Sequence, residues 1–375
     1  MGPVVVDISP TVNSKAGLGR YAHALVQHLR HTWVAPHLWL FYNRRPGGTL
    51  PRDLRDLPAR RVSLGYKPWR LLVWIGHLLH LSFDALLPPN TQVFHATEHL
   101  LLPLGVPTVL TVHDLIFERF PQFHKRLNYV FLHHAMPLFV RRANVIITVS
   151  EVTRQDVCRW YGVAPGRVFV VPEAPAPHFH PPSSEHIQHV RRRYRLPERY
   201  LLTVGTIEPR KNLVRLLQAF EPLALEGEVD ALVIVGRRGW LAEPFFQALA
   251  KSPVQKQVRL LGYVPDEDLP ALYGGAMLFV LPSLFEGFGL PMLEAMACGT
   301  PVVASHAGAL PEVGGDAACY FDPSSVAMMQ ETIRQCLRDD VLRHELAQRG
   351  RRRASQFSWH RTAKQTAEIY TRLLG

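Results

Sequence analysis

Residues 282–308 read PSLFEGFGLPMLEAMACGTPVVASHAG and limit the fold more tightly than the rest of the chain. Just before them, Ala276 to Leu281 is a short apolar run bounded by turn signals, which reads as a buried strand. Glu286-Gly287-Phe288-Gly289 is a glycine-containing turn, and a short helix starts near Pro291. Proline is tolerated there because the N–H of a first helical residue has no intrahelical partner. Gly299 can close the helix in the left-handed conformation, and Thr300-Pro301 opens a second strand, Val302 to Ser305. Strand, turn, helix and strand form a βαβ unit. The turn aims the backbone N–H groups of Phe288, Gly289 and Leu290 past a strand's carboxyl end, where an anion would sit.

Two carboxylates, Glu286 in the turn and Glu294 one turn into the helix, stand at an E-x7-E spacing. A carboxylate beside a phosphate-binding turn does not itself bind phosphate, because like charges repel. Two acceptor groups suit hydroxyl-rich partners such as a ribose diol and a hexose. The plainer reading is one solvated loop glutamate and one glutamate complementing the helix dipole. The whole segment resembles the signature of the retaining GT-B glycosyltransferases of the large family 4, whose E-x7-E is embedded here in EGFGLPMLEAMACGTPVV.

At 375 residues the chain can form two ordinary domains. A 47% hydrophobic content with 19% charged residues describes a globular protein with ample core and excludes a disordered one. The start, MGPVVVDISP, has no basic region of a secretory signal and runs straight into a strand-like segment. Cys158, Cys298, Cys319 and Cys336 lie far apart without metal-ligand spacing, which points to reduced thiols in a cytoplasmic protein. The net charge is +11, and residues 1–180 carry 19 Lys and Arg against 10 Asp and Glu. A basic half fits an anionic membrane surface or a phosphorylated substrate, and no nucleic-acid motif accompanies it. An arginine-rich composition without functional meaning is the plain alternative.

Taken in order, Val4 to Ile8 reads as a strand, followed by a glycine loop ending Ala16-Gly17-Leu18-Gly19-Arg20 and a helix from about Tyr21 to Leu29. His37 to Tyr42 is a second strand, and the Arg/Pro/Gly stretch 44–60 reads as a mobile loop. Pro68 to Phe83 is an apolar helix too short, and too interrupted by Arg70, His77 and His80, to span a bilayer. It either packs on the sheet or lies at a membrane interface. Gln92 to Thr97 and Pro107 to Val112 suit parallel strands, and the second ends at His113-Asp114. A helix from about Lys125 to Arg142, strand Asn144 to Ser150, a helix to Tyr161 and strand Arg167 to Pro172 complete a βα series. Proline-rich Pro172 to Pro182 breaks helix and strand alike, so it reads as the linker. A second βα series starts at Tyr200, with strands Leu201 to Val204, Ala231 to Val235 and Val258 to Leu261, then a helix from Pro265 to Tyr273. The repeated βα pattern gives an α/β fold class with doubly wound sheets. The resemblance implies a GT-B pair of Rossmann-like domains facing a central cleft, 1–178 binding the acceptor and 179–357 binding the nucleotide sugar. In GT-B folds the last helix crosses back to the first domain, so residues 358–375, opening at Ser358-Trp359, join 1–178.

The resemblance then implies a site. Glu294 would hold the ribose, with Lys211 and the amides of Phe288, Gly289 and Leu290 on the diphosphate and the backbone of Tyr263-Val264 on the base. Gly17 and Gly205 would let the diphosphate approach. His113 and Glu286 would hold the transferred sugar, making His113, Lys211 and Glu286 the catalytic set. Family 4 usually carries an Arg directly after the strand-end glycine; Thr206 stands there, and Arg210, beside Lys211, is the substitute cation. The form GTIEPRKN occurs among mannosyltransferases of the family, which makes GDP-mannose the first expected donor and UDP-sugars the next. The expected reaction is retaining transfer of a hexose to a glycan or lipid-linked saccharide, with no metal or other cofactor, by a cytoplasmic protein in peripheral contact with anionic membrane. A GT-B nucleotide-sugar epimerase and a non-catalytic nucleotide-sugar-binding protein are the alternatives.

Overall fold

A computed structural model describes residues 2–13, 16–44 and 47–374. The chain divides into two compact units. The first comprises residues up to Arg119, Arg126–Glu173 and the segment from Ser358 onward; the second comprises Phe120–Lys125 and Ala174–Phe357.

The first unit is built on seven strands: β1 Val4–Asp7, β2 Leu38–Asn43, β3 Ala59–Val62, β4 Val93–Ala96, β5 Thr108–Val112, β6 Val145–Thr148 and β7 Val168–Val170. Every pairing is parallel, in the order β3-β2-β1-β4-β5-β6-β7. Strands covered on both faces read as unbroken apolar runs, and VVVD, TVLTV and VIIT are wholly buried. The core joins Val5, Phe41, Phe94 and Leu110 of the sheet to Trp69, Phe139 and Val140 of the covering helices. The edge strand β3, ARRV, is nearly all exposed, and its first two residues fall at the end of the stretch 44–60 expected to be a loop. Its arginines protect an edge instead of filling a core, so no apolar run announces it. Residues 45 and 46 of that stretch lie outside the described residues.

The glycine segment also differs from expectation. Helix Ala16–Leu29 already includes Gly17 and Gly19, so these glycines form its first turn and not a preceding loop. A Cβ on Gly19 would lie 3.0 Å from the Pro10 carbonyl oxygen, and the Thr11 hydroxyl donates to the Gly19 carbonyl at 2.8 Å. Close packing of two backbone segments therefore accounts for Gly19. The final helix, Trp359–Leu374, buries Trp359, Thr362, Ala363, Thr366, Ala367, Ile369 and Tyr370 on one face of the first unit. The Tyr370 hydroxyl meets His95 Nδ1 at 2.6 Å, and the Thr362 hydroxyl donates to the Pro172 carbonyl at 2.7 Å.

The second unit has six parallel strands: β8 Tyr200–Val204, β9 Ala231–Val235, β10 Val258–Gly262, β11 Leu278–Leu281, β12 Val302–Ser305 and β13 Ala318–Phe321. Their order is β10-β9-β8-β11-β12-β13, the doubly wound pattern. Its core sets Leu232, Ile234, Leu278, Val280 and Val303 against Leu216 and Phe220 of helix Leu213–Leu225. The order reverses between β8 and β11. In open α/β sheets ligands bind beyond the strands' carboxyl ends at such a switch point. The helix expected from Pro265 starts only at Leu269.

Candidate active site

In the second unit, β8 is followed by Gly205, whose φ of +152° suits glycine. A Cβ there would lie 3.0 Å from Lys211 Cε, so the missing side chain makes room for the lysine. The chain then makes a single 3-10 turn, Pro209–Lys211, and Asn212, left-handed at φ 55°, starts helix Leu213–Leu225. The Asn212 side-chain amide donates to the Pro282 carbonyl at 3.0 Å and the Pro323 carbonyl at 2.8 Å, fastening this turn to the chain beyond β11 and β13.

The turn after β11 carries Glu286. One carboxylate oxygen accepts from Lys211 Nζ at 2.6 Å and from the Ser283 hydroxyl at 2.6 Å, while the other accepts from Arg210 at 2.6 Å. Arg210 also pairs with Glu208 at 2.8 Å and donates to the Phe285 carbonyl at 3.1 Å. Burial alone would raise the Glu286 carboxyl, but the charges of Arg210 and Lys211 and the bonds from Lys211 and Ser283 prevail and hold it at about 2. Burial and the Arg210 charge draw the Lys211 ammonium below its usual range, against the pull of Glu286. Gly308 explains how the turn closes: at φ +58°, any Cβ would collide with the Glu286 carbonyl oxygen at 2.3 Å.

Helix Leu290–Ala297 follows, capped by Gly289 at φ +97°, where a Cβ would meet Leu310 Cδ2 at 2.4 Å. In its first turn Pro291 has no N–H and the Met292 N–H donates to the Gly289 carbonyl at 2.9 Å, which leaves the amide of Leu290 without an i−4 partner. Leu290 opens the helix, and Phe288 is buried with its ring against Phe357. Glu294 lies in the same helix, 2% exposed, and accepts from the Tyr273 hydroxyl at 2.9 Å. Thr206, half-buried, packs against Gly239, where a Cβ would lie 2.6 Å from its methyl. Tyr263 is 61% exposed and Val264 is buried. Thus Lys211, Arg210 and Glu286 form one ion-paired cluster, and Glu294 pairs separately with Tyr273.

In the first unit, His113 follows β5 and is 8% exposed. Its Nδ1 faces a Glu173 carboxylate oxygen at 2.9 Å and its Nε2 the Thr97 carbonyl at 2.9 Å, two acceptors that favour the protonated ring. Burial acts to lower its pKa, but Glu173 and Thr97 prevail and raise it. Gly17 is exposed, with open space where a Cβ would point.

Sequence reasoning missed Glu173, Glu208, Ser283 and Tyr273. Glu208 sits inside the quoted GTIEPRKN, and Ser283 precedes Glu286 by three residues, so both were within sight. Glu173 and Tyr273 reach their partners only through the fold. Asp266 and Asp268 stand at an Asp-x-Asp spacing, but Asp268 is buried against the Tyr194 hydroxyl at 2.7 Å and Arg193 at 2.9 Å. Among the described residues no group of three or more His, Cys, Asp or Glu is arranged to hold a metal.

Residues 187–353 match the family described as "Glycosyl transferases group 1", and residues 16–174 match "Glycosyltransferase Family 4". The chain belongs to glycosyltransferase family 4. It is 33% identical over 376 residues, covering 98% of its own length and 99% of the relative's, to O-antigen chain mannosyltransferase B of Escherichia coli. Sucrose-phosphate synthase from Thermosynechococcus elongatus superimposes with a TM-score of 0.81 at 19% identity, covering 100% of this chain and 99% of that one. Anabaena HepE in complex with UDP and glucose does so at 0.75 and 18%, covering 99% and 100%. This family-4 chain therefore has the GT-B fold and is a mannosyltransferase-like hexosyltransferase. The epimerase and non-catalytic readings give way to it.

Proposed function

We propose that the protein transfers mannose from GDP-mannose to a saccharide or lipid-linked saccharide acceptor, with retention of anomeric configuration and without a metal. The observation that carries this reading is the buried Lys211–Glu286–Arg210 cluster beside the start of helix Leu290–Ala297, at the point where the second sheet reverses its strand order. A fixed ammonium, a planar guanidinium and the backbone amides of the turn that opens the helix together suit a departing diphosphate, and electrostatic stabilisation of this kind is the largest single source of rate in such sites. Glu294 would take the ribose, and Glu286 and His113 the transferred sugar. The bond from the anomeric carbon to the diphosphate breaks and a bond to the acceptor hydroxyl oxygen forms on the same face. The hydroxyl proton passes to the departing phosphate oxygen. Choice of mannose rests on the near full-length likeness to an O-antigen mannosyltransferase.

The acceptor would be reached at an anionic membrane. Helix Tyr66–Leu78 supports this reading: Trp69, Val73, Gly76 and His77 are buried, while Leu71, Leu72, Ile75 and Leu78 remain exposed. It contains no acidic residue, so an exposed apolar row lies beside Lys67 and Arg70. That is the composition of a helix that lies on a membrane surface. Among the described residues no helix is long and apolar enough to cross one.

The deciding experiment supplies GDP-mannose, UDP-glucose or UDP-N-acetylglucosamine with a short oligomannoside, with and without EDTA, and follows nucleoside diphosphate release and the anomeric NMR signal. GDP release that needs acceptor, survives EDTA and leaves the donor's configuration supports the proposal. Turnover with UDP-sugars alone, an inverted product or abolition by EDTA each removes the corresponding part.

A further inference from the structure

The donor unit carries two further groups. Strands β8, β9 and β10 are neighbours, and a glycine at positive φ directly follows β8 and β9 and closes β10: Gly205 at +152°, Gly236 at +152° and Gly262 at +67°. Thr206, Arg237 and Tyr263 follow them. The three loops are laced together, Gly205 N–H to the Val235 carbonyl at 2.8 Å, Gly236 N–H to the Gly262 carbonyl at 2.8 Å and Ile207 N–H to the Arg237 carbonyl at 2.9 Å. A Cβ on Gly236 would lie 1.9 Å from the Gly205 carbonyl oxygen, so the step between β8 and β9 has to stay bare. Beside it the Arg237 guanidinium lies 4.8 Å from the centre of the exposed Tyr263 ring. Arg238, next in the chain, is paired with Glu243, whereas Arg237 has no carboxylate partner among the described residues.

We propose that Arg237 and Tyr263 read the donor's base and select guanine over uracil. The inference rests on the reading of this unit as the nucleoside diphosphate site. A bare step with an aromatic ring and an unpaired planar cation at its edge fits a flat heterocycle. Guanine shows two adjacent acceptors, O6 and N7, which match a guanidinium's two parallel donors. Uracil sets its O4 acceptor beside an N3–H donor, so a guanidinium gains one bond and faces a donor. The bicyclic face also covers more of the Tyr263 ring than a pyrimidine does.

The test is calorimetric titration of the full chain and of Arg237→Ala, Arg237→Lys and Tyr263→Ala with GDP and UDP. Both side chains are exposed, so unliganded melting temperatures should match wild type. Wild type should prefer GDP. Arg237→Ala should lose about tenfold or more in GDP affinity, about 1.4 kcal/mol, with UDP affinity within about twofold of wild type. Arg237→Lys should recover only part, because an ammonium is a point charge without the fork. Tyr263→Ala should weaken GDP more than UDP. An equal loss of both nucleotides in Arg237→Ala would show that the arginine merely attracts phosphate, and an unchanged GDP affinity or a wild-type preference for UDP would equally overturn the inference. Wild type binding neither nucleotide would overturn the donor-site reading itself.

Discussion

Glu286 is the group whose loss separates folding from ligand binding most cleanly. Its carboxyl is held at about 2 instead of 4.5. At about 1.4 kcal/mol per pH unit this corresponds to about 3 kcal/mol of stability. Because the folded value is the depressed one, that contribution is complete above pH 4.5 and is lost as pH falls through 2. Glu286→Gln at pH 7 therefore forfeits all of it. The side chain is only 10% exposed, so solvent screens the interaction little. Glutamine keeps the shape and can still accept from Ser283, but it leaves Lys211 and Arg210 without their shared counter-charge. Breaking one partner out of a buried ionic set costs about 3–5 kcal/mol, which agrees. Melting temperature should drop by about 6–12 °C for a unit of this size. A nucleoside diphosphate brings back the missing negative charge. In wild type it must compete with Glu286 for the two cations, and in the variant it need not, so GDP affinity should rise several-fold even as the unliganded protein weakens. Differential scanning fluorimetry with and without GDP, paired with calorimetric titration, reads both quantities. A variant that melts early yet binds GDP no better than wild type would show that the cations do not meet the diphosphate.

Glu294 should behave in the opposite way: Glu294→Ala should weaken GDP by about ten- to hundred-fold, the value of a charged hydrogen bond, and raise the donor KM more than it lowers kcat in a steady-state assay. Tyr273→Phe, which removes the hydroxyl that donates to that carboxylate, should give a milder version of the same change. His113 has a raised pKa in the fold, so its pairing with Glu173 stabilises fully below pH 6.5 and fades as pH rises through the folded value. Glu173→Gln should accordingly cost less stability at pH 9 than at pH 6 in urea titrations, and a pH-independent cost would refute that assignment. Leu71→Asp/Leu78→Asp should abolish co-sedimentation with phosphatidylglycerol vesicles at low salt without slowing turnover of a soluble acceptor.

The strands that flank the ligand ends could be read because burial on both faces leaves only apolar residues: ALVIV and VVAS fold as the sequence suggests. Where an element meets solvent, its pattern fails. ARRV at the sheet edge has no apolar run, and ACYF in β13 is too short to stand out. Phe120–Lys125 belongs to the second unit although its neighbours on both sides belong to the first. The Trp240 indole donates to the Phe123 carbonyl at 2.5 Å and Phe120 packs on Phe285, contacts between residues more than a hundred positions apart. The same limit applies to the site. Lys211, Arg210, Glu286 and Glu294 were legible as residue types at motif spacing, but not that Lys211 and Arg210 share one carboxylate or that Glu208 takes the remaining face of Arg210. That sharing bears on the cation missing at Thr206. Lys211 and Arg210 are balanced by Glu208 and Glu286, so the cluster has no surplus charge while empty, and a diphosphate has to draw the cations away from their carboxylates. A neutral resting cluster avoids the cost of two buried like charges, and it makes Glu208 a determinant of how far Arg210 can turn. Glu208→Gln should therefore free Arg210 and tighten GDP binding while Glu286 still holds Lys211. If the affinity stays the same, Arg210 serves the fold of the turn and the diphosphate is left to Lys211 and the helix amides.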